Sequence, residues 1–264
     1  MLAKLIGIIL IIIGMAGLVL PIVPGIILIM AGVLLFSRNR AAVDWAWVNN
    51  ELKERERIDP GDNSDRGVAI ARSLDVSLSK AKTLSKPNYI HALKKITAIG
   101  EDFIELEGGA RFSSGKLANH LKGASHMIIF LATIGEKIEN EAGVLTKGKE
   151  PLEGYLLDRI GSFEVESLAG SIENKFRKDY HMLRKSVSRR YSPGYCDWPI
   201  EEQKVLAEIL DFSKIGVTLN ESCMMQPKKS ISGIVAIAGK GVFTKTGSTC
   251  EVCEKKDCSY RRVD

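Results

Sequence analysis

Three cysteines near the C-terminus have the spacing of a metal-binding cluster. Cys250 and Cys253 form a C-x-x-C pair, and Cys258 follows within the same polar, charged tail. Thiolates at this spacing can share a zinc ion or an iron–sulfur cluster. A tetrahedral site needs a fourth ligand, for which Cys196 and Cys223 are the candidates. Free surface thiols and redox-active thiols give the same pattern, so the residues alone leave these alternatives open.

Two further blocks combine turn residues with polar side chains. The first is Arg190-Tyr-Ser-Pro-Gly-Tyr-Cys-Asp-Trp-Pro199, and the second is Ile215-Gly-Val-Thr-Leu-Asn-Glu-Ser-Cys-Met-Met-Gln-Pro227. They resemble the S-adenosylmethionine-binding motif R-x-[SA]-P-G-Y and the second block I-G-V-x-L-T-E-S-x-M-M-x-P of the methionine synthase activation domain. Ser230-Ile-Ser-Gly233 resembles the S-V-S-G that follows in that family. Asn220 departs from the family's usual threonine, so no hydroxyl role is carried over to it.

Three upstream segments are similar to the same family, and they occur in the same order. They are Leu117-Ala-Asn-His-Leu-Lys-Gly123, Ala132-Thr-Ile-Gly135 and Leu157-Asp-Arg-Ile-Gly-Ser162. The resemblance therefore spans about residues 100–238, and it implies an α+β fold in which an antiparallel or mixed sheet is flanked by helices.

The resemblance implies a protein that binds S-adenosylmethionine and reactivates a cobalamin-dependent methyltransferase, with methionine synthase as the first candidate. In that family, the methyl group is transferred to the cobalt of an inactive cob(II)alamin enzyme, with an electron from a flavodoxin-like or iron–sulfur donor. A partner must carry the cobalamin, because Asp179-Tyr-His181 begins a D-x-H-x-x-G cobalamin pattern but Arg184 occupies the glycine position. We therefore expect an accessory subunit with no catalytic side chain of its own.

The residues of the first block suit such a ligand. Arginine offers a planar fork of donors to a carboxylate, glycine allows close backbone approach, and tyrosine adds an aromatic face. Glu221 could offset the cationic amino or sulfonium end of the ligand. The predicted cofactor-binding residues are Arg190, Ser192, Pro193, Gly194, Tyr195 and Glu221. Without the resemblance, Arg190 could equally pair with a surface acid, Tyr195 could be a core residue, and Glu221 could be exposed.

The first forty residues predict a membrane anchor. Leu5–Phe36 contains no charged residue, and Pro21-Ile-Val-Pro24-Gly25 should interrupt a helix near its middle. We therefore expect a transmembrane helical hairpin. Lys4, Arg38 and Arg40 flank it, so the positive-inside rule predicts a cell-membrane protein whose soluble part is cytoplasmic. A signal peptide is the competing interpretation, but the apolar run is too long and no cleavage site follows it.

The chain is expected to divide into three parts. Residues 1–40 form the hairpin, residues 41–74 a polar linker, and residues 75–264 the S-adenosylmethionine-binding domain with its cysteine-rich tail at 250–258. Trp45 and Trp47 of the linker suit either the membrane interface or an amphipathic helix that packs on the domain. Within the domain, patterning predicts strands at Phe103–Glu107, His126–Ala132, Val217–Leu219 and Gly233–Ala238, with helices at Glu136–Leu145, from Pro151 to about Phe176, and from Pro199.

Composition narrows the function classes. The formal net charge is +5, and five cysteines favour a reducing compartment over a disulfide-stapled domain. One run of cations comprises Lys175, Arg177, Lys178, Arg184, Lys185, Arg189 and Arg190. Such a run usually forms a solvated face and less often a site for phosphate, carboxylate or nucleic acid. No helix-turn-helix signature is present, so nucleic acid is not expected as a partner.

Two other functions remain open at this point. The chain could activate another corrinoid methyltransferase, or it could be a membrane-tethered S-adenosylmethionine-binding or metal protein without catalysis. A neighbouring cobalamin-binding chain would favour activation, whereas loss of the Arg190 contact would favour a protein that has kept only the fold.

Overall fold

The computed structural model describes residues 41–195, 197–244 and 257. The predicted hairpin over residues 1–40 lies outside these ranges, as do the predicted metal ligands Cys250, Cys253 and Cys258. Across the described part of the chain, no helix is both long enough and apolar enough to cross a bilayer.

A central antiparallel sheet organises the fold. Its strands are β1 (Asn88–Ile99), β2 (Phe103–Leu106), β3 (Arg111–Ser113), β4 (Ala124–Thr133), β5 (Lys185–Val187) and β8 (Ser230–Gly239), with β6 (Thr218–Leu219) and β7 (Met225–Gln226) paired as a separate hairpin. The strand order is β3-β2-β1-β4-β8-β5, so β4 and β8 lie in the interior of the sheet, each paired on both sides. The predicted α+β class with an antiparallel sheet is confirmed.

The two central strands are apolar on both faces because both faces are covered. Ile129 of β4 lies opposite Ile234 of β8 in the register, and both are fully buried. Phe130 points to the other face, where its ring meets that of Phe176 at 6.2 Å between centroids. Layers of structure therefore cover the sheet on both sides.

Six α-helices lie in the described part of the chain. They are α1 (Trp45–Arg55), α2 (Asp65–Leu84), α3 (Gly115–His120), α4 (Lys137–Lys147), α5 (Pro151–Met182) and α6 (Gln203–Ile209). Pro151 begins α5, where its missing N–H costs no helical hydrogen bond. This 32-residue helix contacts α1, α2, α4 and the sheet, so it is the spine of the helical layer.

The segment expected to be a polar linker contains α1 and the first half of α2, so the alternative of an amphipathic helix that packs on the domain describes α1. Asp44 caps α1 by accepting hydrogen bonds from two backbone N–H groups, and its own N–H donates to Ser167 Oγ of α5 at 2.8 Å. Val48 and Leu52, four residues apart, are buried. At the far end of α1, Glu56 pairs with Arg159 of α5. The segment is polar overall, but a narrow apolar stripe of α1 packs on α5.

The opposite face of the sheet is covered by α3, α6 and the segment after β5. Met127, Ile129 and Leu131 of β4 point into this cluster, where they meet Tyr191 and Trp198. Two members of the first sequence block are thus part of the core on this face.

Candidate functional site

The first sequence block begins as an extended segment beside β8. Ser188 N donates to Ala236 O at 2.9 Å, and Tyr191 and Ile234 exchange backbone hydrogen bonds of 3.0 and 2.8 Å. Successive side chains of an extended segment point to opposite faces. Arg190 accordingly contacts α5, whereas Tyr191 joins the cluster on the other face.

The Arg190 guanidinium is held by one acid and is incompletely satisfied. Its Nη2 donates to Glu166 Oε2 of α5 at 2.8 Å. Its Nη1 is buried and has no hydrogen-bond partner among the described residues. Burial alone would lower the pKa of Arg190, but the charge and hydrogen bond of Glu166 raise it, with smaller contributions from Glu173 and Tyr195. Arg190 therefore keeps its positive charge, and the N–H groups of its Nη1 are available to an acceptor.

A second cation lies one helical turn away along α5. Lys229, just before β8, donates from Nζ to Ser162 Oγ at 2.9 Å and pairs with Asp158 Oδ1 at 2.7 Å. Asp158, Ser162 and Glu166 are spaced four residues apart, so they share one face of α5. This face presents a row of polar groups to the two cations.

The residues after Tyr191 form a tight turn. Ser192 Oγ donates to Ser232 O at 2.7 Å, which fixes the turn to β8. Gly194 has φ +89° and donates its N–H to Trp198 O at 2.8 Å. This left-handed conformation suits glycine. Pro193 is buried, whereas Tyr195 is 46% exposed at the tip of the turn.

Gly233 of β8 allows this segment to lie close to the sheet. A Cβ at this position would stand 3.0 Å from Tyr191 O and 3.1 Å from both Arg190 Cγ and Ser192 Oγ. The glycine of Ser230-Ile-Ser-Gly233 therefore keeps the space in which Arg190 and the turn are packed.

The Gly233→Ala change is expected to weaken the protein by about 1–3 kcal/mol, because an overpacked site must shift its neighbours. Chemical denaturation would measure this loss. Gly239→Ala is the matched control, since a Cβ on Gly239 would meet nothing within 4 Å. An equal loss in both variants would show that crowding at Gly233 is not the cause.

A shallow pocket opens on the face of the turn opposite α5. It contains about 230 Å³ of empty space, open to solvent, and is lined by Ser114, Lys116, Leu117, His120, Tyr191, Ser192, Tyr195, Asp197 and Trp198. The His120 and Tyr191 rings are stacked, 5.9 Å apart and inclined by 19°. Burial lowers the pKa of His120, and the nearby Arg189 cation lowers it further. The ring is therefore neutral at pH 7.

Two acids connect the turn to the start of α3. Asp197 Oδ1 accepts a 2.5 Å hydrogen bond from Ser114 Oγ, and Oδ2 accepts a 2.9 Å bond from Lys116 N. Glu202 accepts from Ser113 N at 2.8 Å and from the Trp198 indole. Burial raises the pKa of Asp197, but its hydrogen bonds lower it, and the net direction is downward. The pocket walls are thus held together by charged acceptors.

The structure brings some of the predicted residues together and leaves others apart. Arg190 and the turn are contiguous, and two members of the turn, Ser192 and Tyr195, line the pocket. Glu221 instead lies exposed in the turn between β6 and β7 and does not line it. The sequence reasoning missed Glu166 and Asp197. Asp197 lay inside the first block, but nothing in the sequence indicated that it would join α3.

The candidate metal ligands have no counterpart in the described part of the chain. Among residues 41–195, 197–244 and 257, no group of three or more His, Cys, Asp or Glu side chains could hold a metal ion. Cys223, a candidate fourth ligand, is 2% exposed. Cys196, the other candidate, lies outside the described residues, so the cluster itself stays a prediction.

Two comparisons with known proteins found similarities. The family model described as vitamin B12 dependent methionine synthase, activation domain, matches residues 118–248, just under half of the chain. The structure is similar to the crystal structure of the MetH reactivation domain bound to AdoHcy, with a TM-score of 0.53 and 18% sequence identity. That match covers 76% of this chain and 75% of the other. No curated protein matches the sequence.

Residues 118–248 therefore carry the sequence pattern of a methionine synthase activation domain, and the described part of the chain has the corresponding fold. The matched range contains the whole of the turn and its contacts with β8. The predicted fold of such a domain is confirmed, and the predicted family resemblance is supported over residues 118–248.

Proposed function

We propose that this protein binds S-adenosylmethionine and supports the reductive methylation of cob(II)alamin in a partner methyltransferase, with methionine synthase as the first candidate. The family match over residues 118–248 supports this proposal, as does the similarity to a reactivation domain whose crystal structure contains AdoHcy. The partner carries the corrinoid, and a flavodoxin-like or iron–sulfur protein supplies the electron.

The observation that carries the proposal is the buried Nη1 of Arg190, which has no hydrogen-bond partner in the part of the chain that the structure describes. A buried donor without an acceptor is costly in a native protein, and a ligand carboxylate would satisfy it. Glu166, paired with the other nitrogen of the same guanidinium, provides a carboxylate for an ammonium group. Together, the two residues complement the zwitterionic amino-acid end of S-adenosylmethionine.

The pocket proposed for the rest of the ligand lies on the opposite face of the segment from the Arg190 guanidinium, so a ligand that uses both must pass over the turn at Gly194 and Tyr195. Of the aromatic rings that line the pocket, the partly exposed His120 and the exposed Tyr195 are available to an adenine, and Ser192 contributes a hydroxyl. When bound, S-adenosylmethionine supplies an electrophilic methyl group on its sulfonium. The chain's own residues orient the ligand, and the openness of the pocket leaves that methyl group accessible to a partner.

Calorimetric titration of S-adenosylmethionine into the full-length protein tests the proposal. We expect saturable binding with one site per chain, competition by S-adenosylhomocysteine, and much weaker binding of methionine or adenosine alone, because each fills only half of the site. Absence of binding by the folded protein would remove the central claim.

A second assay addresses the partner. A cobalamin-dependent methionine synthase in its cob(II)alamin form, with a reduced flavodoxin-like donor, is expected to be methylated faster when this protein and S-adenosylmethionine are present. The absorbance of the corrinoid reports the change. Binding without acceleration would favour another corrinoid methyltransferase or a non-catalytic binding protein.

We also propose the cell membrane as the location, with the described part of the chain on the cytoplasmic side. The uncharged sequence Leu5–Phe36 and its flanking cations support this location. Similarly, the spacing of Cys250, Cys253 and Cys258 supports a zinc or iron–sulfur site. Metal analysis of the purified protein, beside a Cys250→Ser/Cys253→Ser variant, tests that site.

A further inference from the structure

The basic run Lys175–Arg190, which extends from the last turns of α5 to the first sequence block, divides into two groups in the structure. Four of its members form ion pairs within the protein or are buried. Lys175 pairs with Asp179, Arg177 with Glu173, and Arg190 with Glu166, while Arg189 is 5% exposed. The remaining three cations are exposed at the end of α5 and the turn into β5: Lys178, Arg184 and Lys185.

Apolar side chains share this exposed tip. Met182 is 61% exposed and Leu183 is 46% exposed, and both lie between the cations in the sequence. Lys185 pairs in register with Gly239 of β8, so the exposed Lys240 lies at the same end of these two strands. We call the set Lys178, Met182, Leu183, Arg184, Lys185 and Lys240 the α5 tip. Cations surrounding exposed apolar side chains are typical of surfaces that contact anionic lipid.

The packing of α1 shows where the described chain begins relative to this tip. Ala42 N donates to Ser171 Oγ, and Asp44 N donates to Ser167 Oγ, whereas the other end of α1 reaches Arg159. Helix α1 therefore runs antiparallel to α5, and the chain enters it from the side of the α5 tip. From Ser171 to Met182 along a helix is about 16 Å.

Only a short stretch of sequence separates Ala42 from the uncharged run. Five residues separate Ala42 from Phe36, the end of the uncharged run, and an extended chain of that length spans about 20 Å. A lipid surface that holds the uncharged run is thus within reach of the α5 tip. We propose that the α5 tip rests on an anionic lipid surface, with Met182 and Leu183 directed into the interface and the cations against the headgroups. This inference rests on the proposed membrane location, but it does not depend on S-adenosylmethionine binding.

Tryptophan fluorescence of the full-length protein in vesicles tests this proposal. Leu183→Trp adds a reporter at the α5 tip, and Leu152→Trp adds a matched reporter at the other end of α5, where Leu152 is 42% exposed. The vesicles are phosphatidylcholine with or without phosphatidylserine, brominated on the acyl chains to quench nearby indoles. The parent chain gives the background of the three native tryptophans.

We expect bromolipid to quench the added indole of Leu183→Trp more than that of Leu152→Trp, and phosphatidylserine to increase the difference. Arg184→Gln/Lys185→Gln in the Leu183→Trp background should lose most of the phosphatidylserine-dependent part. Lys147→Gln/Lys149→Gln, at the far end of α5, should retain it.

Equal quenching of the two reporters in protein that floats with the vesicles would overturn the proposal. So would protein that fails to float, which removes the membrane location as well. Quenching that falls as the protein is concentrated would contradict the proposal and show that the α5 tip contacts a second copy of the chain. Titration of S-adenosylmethionine into the same samples tests the proposed function independently of lipid contact.

Discussion

Replacing Arg190 with methionine is expected to weaken S-adenosylmethionine binding by about 1.5–3 kcal/mol, the usual contribution of a charged hydrogen bond. This corresponds to a roughly 10- to 150-fold higher Kd. Methionine keeps much of the aliphatic volume that packs against Gly233, so the turn should retain its position. Calorimetric titration measures the change.

The conservative variant separates charge from geometry. Arg190→Lys keeps the cation but loses the planar fork, which a single ammonium cannot reproduce toward both Glu166 and a ligand carboxylate. We therefore expect it to bind nearly as weakly as Arg190→Met. Arg159→Met is the matched control, because Arg159 of α5 also pairs with a glutamate, Glu56 at the end of α1, but lies away from the turn.

An unchanged affinity in Arg190→Met would contradict the assignment of the ligand carboxylate to this residue. A similar loss in Arg159→Met would instead attribute the effect to general destabilisation of α5. Because Glu166 would lose its ion-pair partner in Arg190→Met, thermal unfolding of each variant should be recorded beside the titration.

Glu164→Gln is expected to stabilise the protein at neutral and alkaline pH. Glu164 is fully buried on α5, hydrogen-bonded to the Ser85 hydroxyl, and its Oε2 has no partner among the described residues. Burial raises its pKa to about 7, and the Ser85 hydrogen bond only partly opposes this shift. A neutral amide has the same shape but no charge to desolvate.

The sign of the pH dependence follows from the direction of this shift. Between pH 4.5 and about 7, the folded protein binds a proton that the unfolded chain has released, so stability falls as the pH rises through this window. Above it, the parent carries a penalty of roughly 3 kcal/mol relative to the protonated form. Glu164→Gln should recover most of that penalty at pH 8 and little of it near pH 4.5.

Chemical denaturation of both proteins across this pH range gives the difference directly. Glu208→Gln, at an exposed position on α6, is the control and should follow the parent curve. A Glu164→Gln curve parallel to that of the parent at all pH values would mean that Glu164 titrates normally in the folded protein.

Local patterns in the sequence predicted much of the domain. Each of three local signals corresponds to an observed element: the alternation at Phe103–Glu107, the apolar run at His126–Ala132 and the proline that begins α5. Glu164 could also have been noticed, because it lies four residues from both Ile160 and Leu168 on the apolar stripe of α5. A carboxylate on such a stripe is buried when the helix packs.

Long-range pairings could not be predicted in this way. Strand β1 was missed because Lys94 and Lys95 interrupt its apolar pattern. Helix α1 was predicted only as one of two alternatives, because its buried stripe consists of just Val48 and Leu52. The partner of Arg190 was missed for a different reason. Glu166 reaches it only through the position of α5 against β8, which no local spacing specifies.

The central position of β8 also determines the order in which the site is completed. Strand β8 is the last of the described strands in the sequence, yet it separates β4 from β5 and pairs with the segment that contains Arg190. During synthesis, β4 keeps an open edge until β8 emerges more than ninety residues later. Contacts between such distant parts of a chain form slowly, because a long loop must close first. Ligand-binding competence is therefore a late event in folding, and nascent chains that end before Ser230 expose an unpaired apolar strand edge that is prone to aggregation.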